Sequence, residues 1–231
     1  MIECMRTQNF RMRNERRPEK RLMPNGKNAA ITAGRKDIMT RALVLYAHPC
    51  EESYSSALHR TVVETLHARD WSVDDCDLYA EGFSPVLSGE ERRNYHDTSI
   101  NTAPVASYVE RLQAADALIF CFPVWNFGYP AILKGFLDRV FLPGVSFRLE
   151  DGKVAPNLTN IQKLAAVTTY GGSRFRAKLA ADPPRKCISR AVRYVTRPAR
   201  LRYLALYDLN RASDSTRVKF IEYVRREMRA L

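Results

Sequence analysis

Ala117–Pro130 reads ALIFCFPVWNFGYP. The first six residues are apolar without alternation, the pattern of a strand covered on both faces rather than one half-exposed to water. Such strands belong to parallel sheets flanked by helices, so the rest of the chain should alternate strand and helix. It does. Arg41–Ala47 (RALVLYA) is a second short apolar run of the same type. Trp71–Tyr79, Lys163–Thr169 and Leu201–Asp208 supply three more strand-like segments. Between them, a Ser53 or Ser55 cap opens a helix to about Arg69 with Leu58, Val62, Thr65 and Leu66 on one face. Pro104 opens another to about Ala115, and Ala131–Phe141 reads as a third. Pro183-Pro184 precedes a helix to about Val195, and Ser213 caps the last, with Phe220, Val224 and Met228 on one face. Phe147–Pro156 reads as a hairpin turned at Asp151-Gly152.

Five strands separated by helices predict an α/β doubly wound five-stranded parallel sheet. Ala117–Phe122, the most apolar strand, should be central. In the order 2-1-3-4-5, ligands bind beyond the carboxyl ends of the strands, between the first and third. The loops at His48–Ser55 and Pro123–Tyr129 should therefore form one site.

The 231 residues suit one sizeable domain, and 45% apolar content excludes global disorder. No apolar run is long enough to cross a membrane, and the amino-terminal region lacks the apolar core of a secretory signal. The five cysteines, Cys4, Cys50, Cys76, Cys121 and Cys187, are scattered without CxxC pairs or a Cys/His cluster. Neither a disulfide framework nor a metal site is expected, and a cytoplasmic setting is. The net charge is +12, and residues 1–40 carry ten basic side chains against four acidic ones. That arm has no helical period and one aromatic residue, so residues 1–38 are read as a solvated, disordered extension, with the folded domain at 39–231. No nucleic-acid motif is present, and nucleic-acid binding is not expected.

The loops carry the chemistry. His48–Ser56 (HPCEESYSS) leads into a helix amino terminus, where unpaired N–H groups and the helix dipole favour an anion. Ser53, Ser55 and His48 can add donors, whereas Glu51 and Glu52 would repel phosphates unless they point away. Pro123–Pro130 sets Trp125, Phe127 and Tyr129 at the end of a buried strand, suited to a flat ring system, and Gly128 allows close backbone approach. Thr168–Ser173 (TTYGGS) adds Thr169, Tyr170 and two glycines on the same edge. Neither a P-loop nor GxGxxG is present.

The string PVWNFGYPAILKGFLDRVF, Pro123–Phe141, resembles the flavodoxin-like NAD(P)H:quinone oxidoreductase family (DT-diaphorase and its bacterial relatives). Ala47–Leu58, Asp77–Arg92 and Thr168–Ser173 fit the same family's pattern. The resemblance implies a flavodoxin-like fold, a tightly held flavin (FAD, or FMN) and a homodimer with the site at the subunit interface. It implies ping-pong chemistry in which NAD(P)H gives hydride to the flavin and a quinone or similar acceptor then takes two electrons. By position, His48, Ser53, Tyr54 and Ser55 would hold the flavin phosphates. Pro123, Val124, Trp125, Asn126 and Phe127 would hold the ribityl chain and ring, and Thr169, Tyr170, Gly171 and Gly172 would line the pyrimidine edge. Animal members carry a Tyr and a His after the glycines that assist proton movement, but here SRFRAKLAADPPRK contains no His. Tyr170 or solvent is the expected proton source. Arg174, Arg176 and Lys178 are either contacts for the NAD(P)H phosphates or solvated charges. A non-catalytic flavin-binding or redox-sensing subunit of the same fold is the alternative function.

Overall fold

The structure is a computed structural model, described here for residues 39–231. The basic arm at 1–38 lies outside the described residues. The five main strands are β1 (Arg41–Tyr46), β2 (Ser72–Asp77), β3 (Ala117–Val124), β6 (Lys163–Tyr170) and β7 (Arg200–Leu206), and they pair in parallel in the order β2-β1-β3-β6-β7. The small antiparallel hairpin is β4 (Phe147–Glu150) with β5 (Lys153–Pro156). Its turn residues Asp151 and Gly152 have φ of 51° and 73°, as a tight two-residue hairpin requires.

The strictly alternating side chains of β3 feed two cores. Leu118, Phe120 and Phe122 join one, with Leu133 and Phe136 of α4 (Ala131–Val140) and Val109 and Leu112 of α3 (Ala106–Ala114). Ala117, Ile119 and Cys121 join the other, with Leu58, Val62 and Leu66 of α1 (Tyr54–His67) and Phe220, Val224 and Met228 of α8 (Asp214–Arg229). A sheet buried on both faces explains why its central strand reads as one apolar run.

Several elements depart from expectation. Residues 80–102 form a long excursion between β2 and α3, and a short capped helix, α2 (Gly89–Arg93), lies within it, its Ser88 and Glu91 forming a reciprocal capping box. Another, α5 (Arg174–Leu179), follows the third loop; it buries only Ala177 and leaves Phe175 and Leu179 exposed, so its apolar residues mark no core-facing stripe. The helical stretch from Pro183 is α6 (Pro183–Lys186), a π-helical segment at Cys187–Val192 and α7 (Arg193–Thr196).

A crevice follows from the strand lengths. The pairing of β1 with β3 stops at Tyr46 and Cys121, while β3 continues along β6 to pair Pro123 with Thr169 and Val124 with Tyr170. Pro123 is tolerated in a central strand because it lies beyond the end of β1. Past that point β1 and β3 have no common ladder, and a gap opens between their loops.

No helix among the described residues is long and apolar enough to cross a membrane, and no group of three or more potential metal-binding His, Cys, Asp or Glu side chains is present among them.

Candidate functional site

The cleft at this switch point measures about 520 Å³ and is lined by His48, Ser53, Tyr54, Ser55, Pro123, Val124, Trp125, Asn126, Thr169 and Gly171, together with Leu209 and Asn210. Ten of the thirteen residues singled out in the sequence meet there. Phe127, Tyr170 and Gly172 do not line it.

Ser53 caps α1: its backbone is extended (φ −72°, ψ 156°) and its hydroxyl accepts the Ser56 N–H at 3.1 Å. The first N–H groups of α1 have no partner within the helix, and they open onto the cleft beside Tyr54 and Ser55. His48 Nδ1 lies 3.0 Å from the Cys50 backbone nitrogen and 3.2 Å from the Cys50 carbonyl oxygen, so the ring is held by its own loop at the cleft wall. Glu51 and Glu52 are exposed and do not line the cleft, which removes the objection to an anion here. Tyr54 anchors the helix to α8 by donating its hydroxyl to the Arg217 carbonyl at 2.7 Å; burial pushes this phenol up to about 12.

The second loop is a tight turn closed by reciprocal bonds, Gly128 N–H to Trp125 O at 2.8 Å and Trp125 N–H to Gly128 O at 3.2 Å. The positive φ falls on Asn126 (48°) and Phe127 (57°), not on Gly128. Asn tolerates that region, and Phe does not, so the turn stores backbone strain at the cleft mouth. A Cβ on Gly128 would meet nothing closer than Trp125 O at 3.6 Å, an ordinary contact, so packing within the turn does not require glycine there. Trp125 is 40% exposed, with the His48 ring edge-on at 5.7 Å.

The third loop contributes backbone rather than side chain. Tyr170 is buried, and its hydroxyl donates to Asp182 Oδ1 at 2.6 Å and lies 2.8 Å from the Tyr203 hydroxyl. Its ring stacks on Tyr207 at 4.5 Å. Burial, together with Tyr203 and the Asp182 carboxylate, pushes the phenol far above its ordinary value. Asp182, itself at φ 45°, is further held by Arg185 Nε at 3.2 Å. This phenol is engaged behind the loop and does not line the cleft, and solvent is the other proton source expected from the sequence. Arg174, Arg176 and Lys178 are exposed and do not line the cleft.

Leu209 and Asn210 were not foreseen. They sit on a single 3-10 turn (Leu209–Arg211) after β7, drawn to the third loop by the Asp208 N–H bond to Gly172 O at 2.9 Å. A Cβ on Gly171 would lie 3.1 Å from Asn210 Nδ2, so the bare glycine is what lets the two loops meet. The adjacency of β7 to β6 was the available signal, because it places the fifth loop beside the fourth.

The site fits a flavin on its own features: an anion end at α1, a half-exposed indole and a strand edge of backbone donors, in a cleft of ligand size.

Comparison with known proteins agrees with this architecture. The family model described as "Flavodoxin-like fold" matches residues 40–217. The rat NAD(P)H dehydrogenase [quinone] 1 is 33% identical over 153 residues, covering 58% of this chain and 56% of that protein. The chain thus spans only a little over half the length of curated relatives it matches. Among solved structures, Smu.1420 from Streptococcus mutans superposes with a TM-score of 0.74 at 28% identity, covering 83% of this chain and 100% of that one. An NAD(P)H:quinone oxidoreductase from Methanothermobacter marburgensis shares the fold, with a TM-score of 0.72 at 24% identity over 83% of this chain and 98% of that one. With the sheet order, the family match and these relatives in agreement, the chain belongs to the flavodoxin-like family that includes the NAD(P)H:quinone oxidoreductases.

Proposed function

We propose that the protein is an NAD(P)H-dependent flavin oxidoreductase that delivers two electrons to a quinone or similar small acceptor, with FAD or FMN in the cleft. The observation that carries this reading is the convergence of the α1 amino terminus, Trp125 and the Cβ-free Gly171 on one crevice at the switch point. A bound flavin supplies the redox chemistry, accepting hydride from the nicotinamide and releasing the electrons to the acceptor in a ping-pong cycle.

The chain's own task is placement. His48, Ser53, Tyr54 and Ser55 hold phosphate. Pro123 to Asn126 hold the ribityl chain and ring. Thr169 and Gly171 face the pyrimidine edge, where backbone N–H groups favour negative charge. The Tyr170 hydroxyl being committed to Asp182, the proton reaches the acceptor from solvent. The apolar pair Leu149 and Val154, opposite each other on the hairpin and both exposed, supports a homodimer, which sedimentation velocity would measure. The free thiols Cys50, Cys76, Cys121 and Cys187 accord with a cytoplasmic setting.

The deciding experiment is the visible spectrum of the purified protein before and after anaerobic NADH or NADPH. A flavin spectrum that bleaches, with turnover on a quinone, is expected. Bound flavin without bleaching or turnover would favour an ancillary redox-sensing subunit, and a protein that takes up neither FAD nor FMN would refute the reading. Gly171→Val is expected to weaken flavin binding by about tenfold or more, as branched carbon enters the gap to Asn210 and unseats polar contacts worth about 1.5 kcal/mol. Flavin fluorescence titration measures this; unchanged affinity would remove Gly171 from the site.

A further inference from the structure

The opposite end of the sheet carries a second recess, remote from the cleft because it forms where β6 and β7 begin rather than where they end. Its volume is about 340 Å³. Arg69, just past α1, Lys163 at the start of β6, Arg200 at the start of β7 and Arg229 at the end of α8 all line it, with Gln162, Ala199, Ala230 and Leu231 beside them. Among the described residues, none of these four cations forms an ion pair, whereas nine other arginines do.

Their positions are held. The Lys163 ammonium lies 4.3 Å and the Arg69 guanidinium 4.4 Å from the centroid of the Trp71 ring. Arg69 donates one N–H to the Met228 carbonyl and Arg200 one to the Ala230 carbonyl, both at 3.0 Å. Capping the end of α8 accounts for one donor on each arginine and leaves the remainder of both guanidinium groups, all of Arg229 and the Lys163 ammonium without an acidic partner. Burial, then Arg69 and Arg200, pull the Lys163 ammonium below its ordinary value, and Asp116 is the one acid that opposes them. Asp116 itself accepts the Arg41 N–H. With Asp116 the one acid set against Lys163, gathering four like charges is costly, and an added anion lowers that cost. Guanidinium forks beside an ammonium match phosphate oxygens better than a single carboxylate.

We propose that this recess is a binding site for a phosphate-bearing anion of two or more negative charges, separate from the flavin cleft. The recess is concave and its cations come from four separated chain positions, which favours a soluble phosphate compound over a flat lipid surface.

The test uses the full chain and pyrophosphate at constant ionic strength, with chloride as control. The readout is the rate at which each lysine is acetylated, followed by mass spectrometry, alongside the melting temperature. Protection of Lys163 should follow occupancy, reaching about tenfold at nine times the dissociation constant by mass action, while other lysines are unchanged. The melting temperature should rise in the same concentration range, and the double variant Lys163→Gln/Arg200→Gln should lose that rise. Labelling of the unmodified chain keeps the proposal testable if the double variant folds poorly. Protection by phosphatidic acid vesicles but not by pyrophosphate would assign the phosphate to a lipid headgroup. Equal labelling of Lys163 with and without both probes, or a melting rise that survives in the double variant, would overturn the site.

Discussion

Replacing Arg139 with Ala is expected to destabilise the protein by about 3 kcal/mol at neutral pH, the scale seen when one member of a buried ion pair is removed. The Arg139 side chain is 10% exposed and that of its partner Glu91 12%. Arg139 donates to Glu91 Oε1 through Nη2 at 2.6 Å and Nε at 2.8 Å, and through Nη1 to the Ser84 carbonyl at 2.5 Å. It therefore ties α2 and the chain before it to α4. Alanine would leave the Glu91 carboxylate covered and without a cation. The pH dependence gives the sign. Burial would raise the Glu91 carboxyl, but the Ser88 backbone N–H, the Arg139 guanidinium and the Ser88 hydroxyl together hold it below its ordinary value near 4.5. In the native protein this contribution is therefore fully present above that value and lost as pH falls through the lower folded-state value. Without Arg139, burial dominates and Glu91 protonates more readily. The gap between native and variant proteins, measured by urea unfolding, should narrow as pH falls below about 4. A gap constant from pH 7 to pH 3 would show that Glu91 is not the group left stranded.

Gly135→Ala should cost nearly as much, although alanine is the better helix former by about 1 kcal/mol. Gly135 lies inside α4, and Pro85 of the excursion crosses it so closely that a Cβ would stand 2.3 Å from Pro85 O and 2.4 Å from Pro85 Cα. Neither is the end of a flexible side chain, so backbone has to move. Overpacking of this kind costs about 1–3 kcal/mol and sometimes more, and here it outweighs the propensity gain. A net loss of about 2 kcal/mol should lower the melting temperature by roughly 4–8 °C for a domain of this size. A variant as stable as the parent would mean the excursion can lift off α4. Because α4 begins at Ala131, three residues after the turn closed by Trp125 and Gly128, the two substitutions also test how far the site depends on the excursion that clamps this helix.

Much of the site was legible because its cues are local. A helix cap such as Ser53 depends on a few successive residues, and an apolar run such as Ala117–Phe122 reports burial on both faces directly. Alternation made the sheet parallel, and in the flavodoxin-like strand order the loops after the first, third and fourth main strands come to one edge. The string of aromatics in Pro123–Pro130 marked a ring-binding loop, but not which of its residues would bend the backbone. That fell to Asn126 and Phe127 because the turn closes between Trp125 and Gly128, a matter of ladder geometry.

The sequence alone determined the parallel sheet, its two buried faces and the edge on which a ligand belongs, since these depend on periodicity and on short capping signals. Only the tertiary structure decided which groups meet at that edge and which are turned away. Asn210 reaches Gly171 across 39 residues, and the Tyr170 hydroxyl turns back to Asp182 and Tyr203. The same holds for Arg69, Lys163, Arg200 and Arg229, which gather at the other end. The physical reason is common to all three. Periodicity fixes which face a side chain takes, whereas its partner depends on strand register and on the path of loops distant in the chain, and no local pattern encodes that.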